Sequence, residues 1–315
     1  MQKAQIPIKR IFGASVLRLL SVIYSFSLFS VILINNQSAQ ANENNVANIN
    51  NNTPLRVAVA ANFTLVLNAL LEDFNKQTGI TTQVISGASG ALFLQIKHGA
   101  PFDVFLSADS RRPQALEQAK LTVKNSRETY AIGQLAYYSS STKNTSISTS
   151  NPTESSAKSS IANNTVLSKQ QLQDVLTAAA ASRFAIANPD IAPYGKAAKE
   201  TLISLGLWQA YQPQLITGVN IGQTFSQIRT KAVSQGLVAN SQLILNDLSG
   251  FIISSDLHQP IEQQLVIIRA SKQQAKAQKL KDFLLSTATQ ENIVSYGYAA
   301  PEKISRDIQS ELISQ

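Results

Sequence analysis

Two short stretches carry small, uncharged residues where an apolar run gives way to a helical pattern: AANFT at Ala60–Thr64 and SGASGAL at Ser86–Leu92. Each offers main-chain N–H groups together with an amide or hydroxyl, Asn62 in the first and Ser89 in the second. The first N–H groups of a helix have no acceptor within it, and the helix dipole adds partial positive charge there, so such a loop can cradle an anion. Gly and Ser also punctuate ordinary connections, Ser89 alone would serve as a turn hydroxyl, and Asn62 would serve equally as a helix cap. Neither loop contains Lys, Arg or His, so an anion bound there would be met by dipoles and neutral donors.

Other chemistries find little support. Cysteine is absent, which removes disulfides, thiolate catalysis and Cys-ligated metals. His98 and His258 are the only histidines and lack ligand-like spacing, so surface positions are expected. Neither G-x-S-x-G nor H-E-x-x-H occurs, as a serine hydrolase or a zinc peptidase would require. Tyr137 and Tyr138 suggest a phenolate pair, but adjacent strand residues face opposite ways and could not share one metal. Asp109 reads as the cap of the next helix rather than as a general base.

The elements that must position these loops alternate between strand and helix. The pattern predicts strands at Leu55–Ala60, Thr81–Ile85, Asp103–Leu106, Ala131–Tyr138, Arg183–Ala187, Leu215–Val219, Leu237–Ala239 and Leu265–Arg269. It predicts helices at Thr64–Gln77, Leu92–His98, Pro113–Ala119, Tyr194–Leu205, Thr224–Gln235, Ser271–Leu285 and Gln290–Tyr296. In the first helix Leu65, Leu67, Ala69, Leu70 and Phe74 form the apolar set, and Gly79 stops it. The alternation implies an α/β fold with mostly parallel sheets, which bind ligands beyond the carboxyl ends of their strands. Both AANFT and SGASGAL lie at such ends.

Segments at the start and middle of the chain fall outside this pattern. Lys3, Lys9, Arg10 and Arg18, then an apolar run over Leu19–Ile34, then Ala39-Gln40-Ala41, read as a signal peptide cleaved near Ala41. Residues 42–53 are Asn-rich and read as a disordered tether. Removing 41 of 315 residues leaves 274, and the formal charge falls from +8 to +4, because the leader holds four Lys/Arg and no Asp/Glu. That charge is ordinary and shows no basic stripe of the kind nucleic-acid binders carry. Ser139–Asn164 is Ser/Thr-rich with almost no apolar residue, and reads as a surface insertion.

Seven motifs, in order, carry a resemblance: LRVAVAANF, ISGASGALFLQI, HGAPFDVFLSAD, AIANPDIAPYGKAAKETLISLGLW, NIGQTFSQI, GLVANSQL and the closing YGY at Tyr296–Tyr298. From about Leu55 to about Pro301, less the insertion, the chain resembles the periplasmic molybdate-binding proteins of molybdate ABC importers, which are type 2 periplasmic solute-binding proteins. The resemblance implies two doubly wound α/β lobes joined by crossover strands with a ligand cleft between them. Residues 54–134 would form the first part of lobe one, residues 135–258 lobe two including the insertion at about 139–164, and residues 259–315 the return to lobe one.

The resemblance also implies the site. The oxyanion ligands fall on Asn62, on the hydroxyl of Ser89, and on the backbone N–H groups of Tyr194 and Ile221, with backbone help from Ala61. Some members place a Tyr where this chain has Ala239, which suggests that Asn62 supplies that donor. The function implied is a periplasmic, exported binding protein, not an enzyme, that captures molybdate or tungstate through its oxygens by lobe closure. It would have no catalytic residues, no cofactor and no direct metal ligand, would act as a monomer without nucleic acid, and would deliver its cargo to an ABC importer permease. The alternatives are a binding protein for sulfate or another tetrahedral oxyanion, and an exported hydrolase.

Overall fold

The computed structural model describes residues 53–140, 165–179 and 182–302. The leader, the tether up to residue 52 and residues 141–164 of the insertion lie outside the described residues.

Strand β1 (Leu55–Ala60) shows how the sequence builds the first layer. Its run LRVAVA is apolar almost throughout, as a strand covered on both faces requires. Leu55, Val57 and Val59 pack into one apolar cluster and Ala58 into another, following the two-residue alternation of a pleated strand. Helix α1 (Thr64–Thr78) buries Val66, Leu67, Leu70, Leu71 and Phe74 against that sheet. The expected face differs from this: Leu65 is 54% exposed and Ala69 also faces solvent, because positions 66, 67, 70, 71 and 74 make a continuous stripe and position 65 lies off it. The helix ends at Gly79, whose φ of 68° is left-handed and whose N–H returns to the Asn75 carbonyl at 2.8 Å.

Next come β2 (Thr82–Gly87), α2 (Ser89–Lys97), β3 (Val104–Leu106), α3 (Arg111–Gln118) and β4 (Glu128–Gly133). Helix α2 starts three residues before the expected Leu92, so Ser89 is its first residue and Ala88 its extended cap. The expected single strand over Ala131–Tyr138 is two strands, β4 and then β5 (Leu135–Ser139). Gly133 pairs with Ile261 in one sheet, whereas Leu135 pairs with Ala239 in another, so the chain crosses between sheets at Gln134. A Cβ on Gly133 would collide with the Tyr194 hydroxyl, which makes glycine necessary at this crossing.

The second layer holds β6 (Thr165–Val166), α4 (Lys169–Ala179), β7 (Phe184–Ala187), α5 (Pro193–Ser204), α6 (Trp208–Tyr211) and β8 (Leu215–Gly218). It continues with α7 (Ile221–Arg229), β9 (Gln235–Ala239), α8 (Asn240–Ile244) and β10 (Phe251–Ile252). The chain then returns through β11 (Ile261–Ile267), α9 (Gln274–Leu285) and α10 (Thr287–Ser295). The first sheet has the order β2-β1-β3-β11-β4 and the second β6-β10-β5-β9-β7-β8. Strands β1, β2 and β3 are mutually parallel, as are β7, β8 and β9, while β11 and β5 run against their neighbours. The fold is therefore α/β with two mixed sheets flanked by helices.

Candidate oxyanion site

The carboxyl ends of five parallel strands, three from the first sheet and two from the second, meet at one small cavity. Its wall includes Ala61 and Asn62 after β1, Ala88 and Ser89 after β2, Ala108 after β3, Tyr194 beyond β7, and Asn220 and Ile221 beyond β8. Its enclosed space is only about 10 Å³, and no Asp, Glu, His, Lys or Arg lines it. Asn62, Ser89, Tyr194, Ile221 and Ala61 are thus brought together from positions up to 160 residues apart in the chain (Ala61 to Ile221). Ala239 and Asn240 do not line it. A larger cleft nearby is lined by charges of both signs, including Asp109, Arg111, Lys196 and Glu262, and shares Ala108, Ala192 and Pro193 with the cavity wall.

Local structure explains why donors face this space. Ser89 is the first residue of α2, Tyr194 the second of α5 after Pro193, and Ile221 the first of α7. In α7 the Asn220 side chain accepts the N–H of Gln223 at 2.9 Å, so the cap satisfies the third helical N–H and leaves that of Ile221 in front of it. Among the described residues, the N–H groups of Asn62, Ser89, Tyr194 and Ile221 meet no protein acceptor. Helix α1 also starts here, after its cap Phe63, and Asn62 makes no capping bond to it. The partial positive charge of helix N-termini therefore converges on a wall without ionised side chains.

Ser89 is 1% exposed, and its Oγ accepts the N–H of Ala108 at 2.9 Å. That bond fixes the hydroxyl and leaves its hydrogen to donate. The Asn62 side chain is placed differently from the expected ligand geometry. Its Nδ2 donates to Gln263 Oε1 at 3.0 Å and to the Tyr298 hydroxyl at 3.1 Å, while its Oδ1 has no partner among the described residues. What Asn62 gives the cavity in this structure is its main-chain N–H.

Behind the cavity lies a buried polar network that the sequence reading missed. The Tyr130 hydroxyl donates to Gln263 Oε1 at 2.9 Å, Gln263 Nε2 lies 3.5 Å from the Tyr194 hydroxyl, and Ser241 meets Tyr298 at 3.1 Å. Burial raises the Tyr130, Tyr194 and Tyr298 phenols well above their ordinary value, so the network is neutral. One signal was available: Gln263 and Gln264 carry amides at adjacent positions, on both faces of the strand IEQQLVI, just before its apolar run.

Contacts across the cavity mouth join the loops of the two sheets. The N–H of Gly90 donates to the Ile191 carbonyl at 2.9 Å, and Arg112 Nη2 donates to the Asp190 carbonyl at 3.3 Å. Asp109 pairs with Arg112 and also accepts the Arg112 N–H at 3.1 Å in the first turn of α3, which makes it a structural anchor. Tyr137 and Tyr138 pack into different clusters on opposite faces of β5, His98 is exposed, and among the described residues no group of His, Asp and Glu could hold a metal.

Residues 55–299 match the family of bacterial extracellular solute-binding proteins. The chain belongs to this family. It is 36% identical over 250 residues to the molybdate-binding protein ModA of Azotobacter vinelandii, covering 78% of this chain and 89% of that one. It is 35% identical over 242 residues to ModA of Rhodobacter capsulatus, covering 76% and 86%. The crystallised periplasmic molybdate-binding protein of A. vinelandii superposes with a TM-score of 0.65 at 30% identity, covering 79% of this chain and all of that one. The sulfate-binding protein SubI of Mycobacterium tuberculosis shares the fold, with a TM-score of 0.60 at 11% identity over 82% of this chain and 91% of that one. As a solute-binding protein the chain shares its fold with the crystallised relative, and its cavity lies where loops from both sheets meet.

Proposed function

We propose that this solute-binding protein captures molybdate, and also tungstate, and delivers it to an ABC importer permease. The observation that carries the reading is the convergence of four unpartnered N–H groups, those of Asn62, Ser89, Tyr194 and Ile221, with the Ser89 hydroxyl on one cavity without ionised groups. A tetrahedral dianion presents four oxygens that accept such donors at once. Each charge-assisted bond contributes about 1.5–3 kcal/mol in a site closed to water. The identity to two molybdate-binding relatives supports molybdate over other oxyanions of the same shape.

The mechanism is lobe closure. The described residues of 54–134 and 259–302 form one lobe and those of 135–258 the other, hinged at Gln134 and at the return into β11. The open form admits the anion to the Asn62 and Ser89 loops, and closure brings up the N–H groups of Tyr194 and Ile221. The Gly90–Ile191 and Arg112–Asp190 contacts then hold the mouth shut. No bond of the ligand is made or broken, so the protein is a carrier and not an enzyme. Cavity and latch are complete within one chain, which fits a monomer. Export follows cleavage near Ala41, and an intact mass of native protein starting near Asn42 would check it.

Thermal unfolding of the mature protein with molybdate, tungstate, sulfate or phosphate tests the assignment, because a ligand that binds only the folded form raises the midpoint by mass action. Molybdate and tungstate should raise it most. A larger rise with sulfate would replace this reading with the sulfate alternative.

A further inference from the structure

Asn62 is 3% exposed and Gln263 is fully buried, and together they hold a polarity the cavity does not want. Both hydrogens of Asn62 Nδ2 are spent inward, on Gln263 Oε1 and the Tyr298 hydroxyl, while Asn62 Oδ1 is orphaned. A buried amide oxygen without a donor is costly. Beside N–H groups gathered for an anion, it also presents the wrong sign.

An amide exchanges its N–H₂ and oxygen by a half-turn of its plane. Asn62 cannot make that turn alone, since its oxygen would then face Gln263 Oε1 across the present 3.0 Å contact. The surroundings of Gln263 allow it to turn as well. In the reversed state Gln263 Nε2 donates to Asn62 Oδ1 and to the Tyr130 hydroxyl. Tyr130 then donates to the Ser107 carbonyl, already 3.3 Å away. Gln263 Oε1 accepts from the Tyr194 hydroxyl, and the Tyr298 hydroxyl shares its one hydrogen between the Asn62 carbonyl, at 3.0 Å, and Asn62 Oδ1, which takes the place Nδ2 now holds at 3.1 Å. Each hydroxyl in the set can both donate and accept, so the reversal moves no charge and orphans no group. It satisfies Asn62 Oδ1 and frees Asn62 Nδ2.

We propose that Gln263 is a positioning residue that decides which end of the Asn62 amide faces the cavity, and that the two amides turn together when an oxyanion enters. This rests on the reading of the cavity as an oxyanion site with Asn62 as a ligand. Gln263 itself touches no ligand. It links Asn62, on one side of the cavity, to Tyr194, whose own N–H lines the other, so the donor set is completed from behind the closed site.

Gln263→Glu tests this. A carboxylate only accepts, so it pins Asn62 Nδ2 inward, and molybdate affinity should fall about tenfold or more at mildly alkaline pH. Burial raises the pKa of such a carboxyl, and its protonated form donates to Asn62 Oδ1, so affinity should recover as pH falls while the parent stays flat. Plain repulsion between the new charge and the anion would follow the same pH course, so titration calorimetry is repeated in an Asn62→Ala background. If Gln263 acts through Asn62, Gln263→Glu costs much less there; an equal cost in both backgrounds overturns the inference. If Asn62→Ala alone leaves molybdate affinity unchanged, it is the ligand role of Asn62 that fails. Should Gln263→Glu not fold, side-chain amide NMR of the parent decides: on adding molybdate the Asn62 and Gln263 signals must both shift, and an unmoved Gln263 signal overturns the proposal.

Discussion

The main-chain N–H of Gly90 donates to the carbonyl of Ile191 at 2.9 Å, fastening the second residue of a helix on the first sheet to a loop of the second. Only glycine permits this approach. A Cβ at position 90 would lie 2.8 Å from that carbonyl oxygen and 2.8 Å from Arg112 Nη2.

Gly90→Ala should therefore hold the mouth ajar while leaving each sheet intact. Crowding of this kind costs about 1–3 kcal/mol, and here the cost falls on the closed form alone. Molybdate affinity should drop roughly five- to hundredfold. Calorimetry measures the loss, and small-angle scattering should show that ligand no longer compacts the protein fully. Undiminished affinity would mean that the Gly90–Ile191 contact plays no part in closure.

Ser89→Ala removes the hydroxyl donor and also strands the N–H of Ala108. Binding should weaken by about 1.5–3 kcal/mol, roughly ten- to a hundredfold, and the unliganded protein should lose about 1 kcal/mol of stability. Ser89→Asp should bind worse still, because a carboxylate would face a dianion in a poorly solvated cavity. Titration of both variants, each checked by circular dichroism, separates binding from folding. Molybdate binding by Ser89→Asp at the parent's level would place the anion elsewhere.

The strands nearest the cavity are legible because buried parallel strands are continuous apolar runs, and LRVAVA is one. The strand-to-helix loops at Asn62 and Ser89 follow from the same pattern. The start of α2 does not, because Ser89 and Gly90 disfavour helix locally. Its first turn is held by bonds from Ala108 to Ser89 and from Gly90 to Ile191, partners 19 and 101 residues away. The split at Gln134 is likewise hidden, since it depends on which distant strand each half pairs with. Helix α4 escapes notice beside the Ser/Thr run, having only Leu172 and Leu176 to bury. Gln263 and Tyr298 meet Asn62 across 201 and 236 residues, a separation no local pattern encodes.

Alkaline pH should expose the buried phenols. Tyr130, Tyr194 and Tyr298 keep their protons well above the ordinary value of 10.0 because burial penalises the phenolate. The unfolded chain releases these protons near pH 10 and the folded chain does not, so stability is complete below that pH and falls as pH climbs beyond it. Urea midpoints should be level from about pH 8 up to this point and decline above it. Tyr298→Phe should lower the midpoint at about pH 8, by loss of its bonds to Asn62 and Ser241, and make the alkaline decline shallower. An equally steep decline in that variant would show that Tyr298 does not contribute to it.

The Ser/Thr-rich insertion should be dispensable, because the described residues that flank it lie at the end of the second sheet away from the cavity. In the second sheet the cavity sits at the carboxyl ends of β7 and β8. Strand β5 runs against β9, which is parallel to β7, so β5 ends at the opposite edge, where Ser139 pairs with Gln235. Across the gap, Tyr137 and Thr165 flank the same residue, Phe251, from either side. Two strand spacings separate them, about 10 Å, and Ser140 lies three residues further along, about another 10 Å, so the link must span roughly 14 Å. A flexible Gly/Ser link of about six residues averages roughly 13 Å end to end and would span that distance. Replacing residues 141–164 with such a link should leave molybdate affinity within about twofold of the parent and the unfolding midpoint nearly unchanged. A large loss of affinity in a folded variant would make the insertion part of the binding machinery.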